Sequence, residues 1–230
     1  MSILSARCRK NHQAVGPVDP YFAYVVSLLH FEGANGGTSF IDQIPARSWG
    51  TTAHPITSNT QSKFGSTSGY NAIGSDFIFN APTSDFLFTG DFTIECWIYT
   101  SSSTGGSPAF SIQSGINEFL ALYMDSPTSG RCLINSANAL TGFVLPGVAN
   151  WFFYSLCRSS GLVYAHVNGI FQSSTTITAN IGSSITGGNV MGESAQLGWI
   201  GYTDESRVTN GIARYTTSNY SVPTAPFPNS

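Results

Sequence analysis

Few residues in this chain have side chains suited to catalysis. It carries twelve acidic residues, nine lysines and arginines and four histidines in 230 residues. Glycoside hydrolysis requires two carboxylates facing one sugar, one as acid and one as nucleophile or base. On a strand those acids stand two or four residues apart on one face. No strand-like stretch supplies such a pair. Glu95, in "DFTIECWIY" (91–99), has Thr93 and Trp97 as its same-face neighbours. Asp204 and Glu205 are consecutive, so a regular strand sends them to opposite faces. His12, His30, His54 and His166 are isolated, and His30 and His166 fall in strand-like stretches where they read as structural. "GANGG" (33–37) lacks the lysine and helix of a phosphate loop. Cys8, Cys96, Cys132 and Cys157 match no zinc spacing and read as free thiols, and Cys8 with His12 has no further ligand nearby. The expectation is a protein that is not an enzyme.

Binding chemistry has better candidates. Sugars stack on aromatic faces, and Trp49, Tyr70, Trp199 and Tyr202 are the possible platforms; each type also fills sandwich cores. No cofactor is expected, with calcium as the open alternative. That ion takes about six to eight oxygens, several from carboxylates, and Glu32, Asp42 and Asp204 are the candidates, without a cluster in sequence. Glu95, Arg158 and Arg207 lie in strands where charge is scarce. Buried charge is tolerated when paired, so Glu95 is expected to pair with Arg207 or Arg158.

The elements that must position these residues are strands. Charged residues make up 9% of the chain, against about 25% in ordinary soluble domains. Ser, Thr, Asn and 24 glycines replace them, and aromatics reach 13%, a composition of strands and tight turns. In 91–99, Phe92, Ile94, Cys96 and Ile98 share one face, and Trp97 and Tyr99 lie on the other, which predicts a strand covered on both sides. "YVVSLLHF", "SDFIFN", "PAFSIQ", "EFLALYM", "RCLIN", "NWFFYSLCR", "GLVYAHVNGIFQ" and "LGWIGYTDESRVT" continue the series. Asn168-Gly169 predicts a two-residue hairpin, and "TGGN" (186–189) predicts a turn. About a dozen short strands with turns every 8–12 residues indicate an all-β antiparallel sandwich.

Residues 1–20 read as an extended, basic, proline-broken N-terminal arm before one domain, 21–230. A net charge of –3 gives no reason to expect nucleic acid. "AYVVSLL" (23–29) is too short to span a bilayer, and no secretory signal is visible, so no membrane partner is expected. The terminal "GIARYTTSNYSVPTAPF" (211–227) predicts a turn at Asn210-Gly211 and then a single helical turn. Beyond it, an extended ribbon should lie across a sandwich edge, discouraging another strand from adding there, with Tyr215, Tyr220 and Phe227 in grooves between the sheets.

Taken in order, "DPYFAYVVSLLHFEGANGGTSFID", "SKFGSTSGYNAIGSDFIF", "FTGDFTIECWIY", "NWFFYSLCRSSGLVYAHVNG" and "GWIGYTDESRVTNGIARYTT…PTAPF" resemble the laminin-G-like, concanavalin-A-like jelly-roll domains, especially those of tailed-bacteriophage virion proteins. The resemblance covers 19–227. Glu32 stands where this family often has Asp. The resemblance implies a two-sheet jelly roll and a virion structural subunit, made in the host cytoplasm, serving as decoration, fibre or tail-associated protein. Its partners would be capsid or tail proteins, in a homo-oligomer or in multiple copies. Ile3, Leu4, Arg7, Arg9 and Lys10 of the arm are the expected docking residues. The alternative is a carbohydrate-binding adhesin module for host-surface polysaccharide.

Overall fold

The alternation in 91–99 becomes a strand enclosed on both faces. Phe92, Ile94, Cys96 and Ile98 are at most 1% exposed and face the core, while Trp97 on the other side is 3% exposed. The structure, a computed structural model, describes residues 18–44, 46–80, 83–102, 106–114, 117–183, 187–193, 197–216 and 218–230. Ile3, Leu4, Arg7, Arg9, Lys10 and the Cys8/His12 pair lie outside the described residues.

Two antiparallel sheets pack face to face as a jelly roll. Across the first run β2 (Phe40–Gln43), β1 (Val25–Leu29), β18 (Gly201–Asn210), β7 (Phe92–Thr100), β12 (Trp151–Ser159), β13 (Leu162–Val167) and β14 (Ile170–Thr176). The hairpin β4 (Ile56–Ser58) and β5 (Ser68–Asn71) joins the start of β18. Across the second run β11 (Ala137–Val144), β10 (Ser129–Ile134), β9 (Asn117–Ser126), β8 (Ser107–Ser114), β15 (Gly187–Val190), β6 (Ile78–Phe79) and β3 (Ala46–Thr51). β3 also pairs with β2, so one ladder wraps both layers. A small hairpin, β16 (Gly192–Glu193) with β17 (Leu197–Gly198), stands apart. Helix is confined, among the described residues, to two 3-10 turns at Phe22–Tyr24 and Ser84–Phe86.

The core between the sheets is built from Phe92, Ile94, Cys96 and Ile98 against Phe110, Ile112, Leu120 and Leu122. Cys96, Cys132 and Cys157 are buried thiols that form no disulfide among the described residues. Asn168 (φ 51°) and Gly169 (φ 72°) make the hairpin between β13 and β14, as their tolerance of positive φ predicts.

Three expectations are corrected. The described part of "TGGN", Gly187 to Asn189, is not a turn: Gly187–Val190 is a strand, because β8 and β6 pair with it from both sides and override local turn preference. Among the described residues no helical turn follows Asn210; Gly211 turns at φ 102° and the described chain beyond it is irregular. The terminal ribbon touches the edge strand β14 at Asn219, whose Oδ1 accepts the Phe171 amide at 2.9 Å, but does not stay at that edge. It covers the outer face of the first sheet, where Phe227, Tyr215, Tyr220 and Val222 pack on Val25, Leu28, Trp97 and Phe153. That face carries apolar side chains that need cover, whereas an edge offers only backbone groups. Tyr215 and Tyr220 stack at 3.7 Å, and the Tyr220 amide donates to the Gly169 carbonyl at 2.9 Å.

Candidate functional site

Strand register brings four aromatic residues into one line on the outer face of the first sheet. Tyr70 on β5 pairs with Tyr202 on β18, Tyr202 with Tyr99 on β7, and Tyr99 with Trp151 on β12. Paired residues point to the same side of a sheet, so the rings touch in sequence. Tyr70 stacks on Tyr202 with centroids 4.5 Å apart. Tyr202 meets Tyr99 edge-on at 5.6 Å, and Tyr99 lies 5.5 Å from Trp151. Tyr70, Tyr99 and Trp151 are half-buried, and Tyr202 is the most covered, at 8% exposure. The row crosses three strand intervals, about 14 Å, and the terminal ribbon leaves it open to that extent.

Local backbone sets this row. Gly201, immediately before Tyr202, has no side chain, and a Cβ there would come within 2.2 Å of the Tyr99 carbonyl and 2.3 Å of the Trp199 ring. Only glycine lets β18 start this close to β7. Burial, with Tyr70 and Tyr99 alongside, pushes the Tyr202 phenol above its ordinary value.

One step along the same face stands the cross-strand pair Asp204 and Trp97. Asp204 Oδ2 accepts the backbone amides of Lys63 (2.8 Å) and Phe64 (3.1 Å). Its Oδ1 is buried without a hydrogen-bond partner, and burial pushes the carboxyl up to about 8. The Lys63 ammonium lies 3.8 Å over the Trp97 ring. The expectation that Asp204 and Glu205 face opposite ways is corrected. A β-bulge between Asp204 and Arg207, with Glu205 at φ 50°, breaks the alternation. Both carboxylates then serve the outer layer: Glu205 accepts the Phe227 amide at 2.7 Å and His30 Nδ1 at 2.8 Å. Burial would lower the His30 pKa, but the Glu205 carboxylate prevails and raises it.

Farther along β7 and β18 lies a charged cluster. Arg207 Nε donates to Glu95 Oε1 at 2.8 Å, and the Tyr215 hydroxyl donates to Glu95 Oε2 at 2.7 Å. Asp19 accepts from Arg207 (2.9 Å) and from both terminal nitrogens of Arg214 (2.9 and 2.7 Å). Burial works against ionised Asp19, yet these partners hold its carboxyl below the ordinary range. The expected Glu95 pair therefore forms with Arg207. Arg158 does not join it: its guanidinium donates to the carbonyls of Phe88, Gly90 and Ala179.

Of the four aromatic candidates, the structure brings Tyr70 and Tyr202 together and removes the other two. Trp49 (2% exposed) donates Nε1 to Asp42, and Trp199 (1%) sits in the inter-sheet core. Tyr99 and Trp151, which were not among the sequence candidates, join the row, although the alternation in 91–99 already placed Tyr99 beside Trp97 on the non-core face. The calcium candidates do not meet. Asp42 is taken by the Leu28 and Ile44 amides, Ser27 and Trp49, Glu32 by Ser66, and Asp204 by the Lys63 and Phe64 amides. No group of three His, Cys, Asp or Glu able to hold a metal occurs among the described residues.

A family model described as the concanavalin A-like lectin/glucanases superfamily matches residues 72–213, which include Tyr99, Trp151 and Tyr202. A search of curated protein sequences found no match. Among solved structures, Trypanosoma rangeli sialidase in complex with sialic acid is similar with a TM-score of 0.64 and 14% identity over 85% of this chain. This chain spans about a third of that sialidase, 32%. Domain 4 of an extracellular arabinanase from Geobacillus stearothermophilus, in complex with arabinotriose, gives 0.57 and 11% identity over 82% of this chain and 93% of that one. The botulinum neurotoxin serotype G binding domain gives 0.57 and 11% identity over 86% of this chain and 48% of that one. At these identities the likeness is one of fold. No helix among the described residues is long and apolar enough to cross a membrane.

Proposed function

This chain belongs to the concanavalin A-like lectin/glucanase superfamily, and from that premise we propose that it is a non-enzymatic display module that binds polysaccharide through its aromatic row. The observation that carries this reading is the in-register line Tyr70, Tyr202, Tyr99 and Trp151. Half-buried rings held by a rigid sheet offer apolar surface to a sugar at little cost in ordering. One similar structure, the arabinanase domain matched over 93% of its length, is by its own description a complex with arabinotriose, which supports a sugar ligand for this chain. Against hydrolysis stands the state of the nearest carboxylates. Asp204 and Glu205 are 0% and 3% exposed and are occupied by the amides of Lys63, Phe64 and Phe227. A sugar has no access to them as an acid and base pair.

The setting we propose is a bacteriophage virion, with the chain as a decoration, fibre or tail-associated subunit that contacts host-surface polysaccharide. Its sequence resemblance to virion proteins and the polarity of the domain support this. The chain enters the domain at Asp19, fixed to Arg207 and Arg214, and Asp19 also bonds the Ser230 carbonyl. Arg207 pairs with Glu95, four residues along β7 from Tyr99, about 14 Å. An assembly holding the segment before Asp19, by Ile3, Leu4, Arg7, Arg9 and Lys10, would hold the opposite end of these strands from the row. Repetition in the assembly would add avidity to weak single sites.

A glycan array probed with the wild-type chain and with Tyr202→Ala is the test. Hits that vanish in the variant support the sugar reading; no hits with wild type refute it. Mass spectrometry of purified particles tests the setting separately: the chain should be present at many copies, and its absence rejects the virion role.

A further inference from the structure

The ligand class of the aromatic row can be narrowed, on the footing that the row binds sugar. The four arginines whose side chains are described all have engaged head groups. Arg131 pairs with Asp125, Arg158 with backbone carbonyls, Arg207 with Glu95 and Asp19, and Arg214 with Asp19. Lys63 differs. Among the lysines and arginines whose side chains are described, its head group makes no ion pair or hydrogen bond; it rests on the Trp97 ring at 3.8 Å and near Phe64 at 5.8 Å.

Its position is fixed. The Lys63 backbone amide is held by Asp204, and the Trp97 ring beneath the ammonium stands two residues from Tyr99 on β7. Two residues along a strand are about 7 Å, so the ammonium flanks the row at its middle. The neighbouring carboxylate, Asp204, makes no hydrogen bond or ion pair with the ammonium: its Oδ2 accepts the Lys63 and Phe64 amides, and its Oδ1 is buried without a partner. Asp204 is fully buried, and its raised pKa of about 8 leaves it largely uncharged at neutral pH. Partial burial presses the Lys63 amine below its ordinary value, and the nearby Asp204 carboxyl offsets this only in part. A partly desolvated ammonium resting on an indole face gains by meeting an anion.

We propose that the row binds an acidic glycan, with sugar rings against Tyr70, Tyr202, Tyr99 and Trp151 and a glycan carboxylate paired with Lys63 Nζ. The carboxylate is the part that a neutral polysaccharide lacks, and Lys63 is the residue that reads it.

The test uses the full chain in affinity electrophoresis. The probes are polygalacturonate, alginate and polysialate, each compared with the same polymer after its carboxyls are reduced to alcohols. At least one acidic polymer should retain the wild-type chain, and reduction should weaken retention about tenfold or more, as for loss of a charge-assisted contact. Lys63→Met should lose a similar factor on the acidic form and little on the reduced form, and Lys63→Arg should restore most of it. Equal retention of acidic and reduced forms by wild type overturns the role of Lys63 and leaves the aromatic row standing. That comparison needs no variant, so it holds even if Lys63→Met folds poorly. Unchanged binding by a folded Lys63→Met also overturns it. Retention of none of the six polymers overturns the acidic-glycan assignment, and a simultaneous blank on the glycan array removes the sugar reading with it.

Discussion

Arg207 and Glu95 form a buried ion pair across β18 and β7, with Arg207 Nε and Nη2 at 2.8 and 2.7 Å from Glu95 Oε1. The Glu95 side chain is 0% exposed and that of Arg207 6%. Removing one member of such a pair leaves an uncompensated charge in a dry site, at a cost of about 3–5 kcal/mol. Glu95→Gln and Arg207→Met should each lower unfolding free energy by that amount in urea denaturation. The double variant should lose less than the sum, because it strands less charge. Strict additivity would show that the two residues are not coupled.

Asp204 predicts a pH dependence. Its carboxyl is pushed up to about 8 by burial, from 3.8. The folded state therefore keeps a proton that the unfolded chain releases above its own pKa. Stability from this group is complete below the unfolded pKa and is lost as pH rises through the folded one. His30 acts in the same direction, since Glu205 raises its pKa. Asp204→Asn removes the Asp204 part of this slope. Melting curves at about pH 5 and about pH 9 should show the variant gaining on wild type at the higher value. Parallel losses in both proteins would contradict the assignment.

The ribbon over the first sheet should be structural. Phe227 is 4% exposed and lies 3.8 Å from the Arg207 guanidinium. Phe227→Ala should cost about 3–5 kcal/mol, the range for a buried phenylalanine. Gly169→Ala attacks the same layer from the hairpin. At φ 72° a Cβ would fall 2.0 Å from the Tyr220 carbonyl oxygen, so the contact must open. Deletion of residues 215–230 should expose Trp97 and Phe153 and cause aggregation. An unchanged melting temperature in the truncated chain would refute a structural ribbon.

Trp151 ends the aromatic row and is half-buried, so its loss should weaken binding more than folding. Trp151→Ala should cost about 2 kcal/mol of affinity for a retained polysaccharide, about thirtyfold. Calorimetry against the best polymer measures it. A variant binding within about twofold of wild type would exclude Trp151 from the site.

Local pattern determined much of this protein. Alternation in 91–99 identified both faces of β7, Asn168-Gly169 identified the hairpin of β13 and β14, and scarce charge made the Glu95 and Arg207 pair legible. These features depend on neighbours in sequence, or on the rule that a buried charge needs a partner. Tertiary structure decided what depends on register. Trp49 and Trp199 entered the core while Tyr70 and Tyr202 joined Tyr99 and Trp151, because four strands distant in sequence align those side chains on one face. The bulge at Glu205 turned two consecutive carboxylates to the same side, a displacement that alternation does not encode. The ribbon chose a sheet face over an edge because the apolar area of Trp97, Phe153 and Leu28 exists only once the sheet has formed.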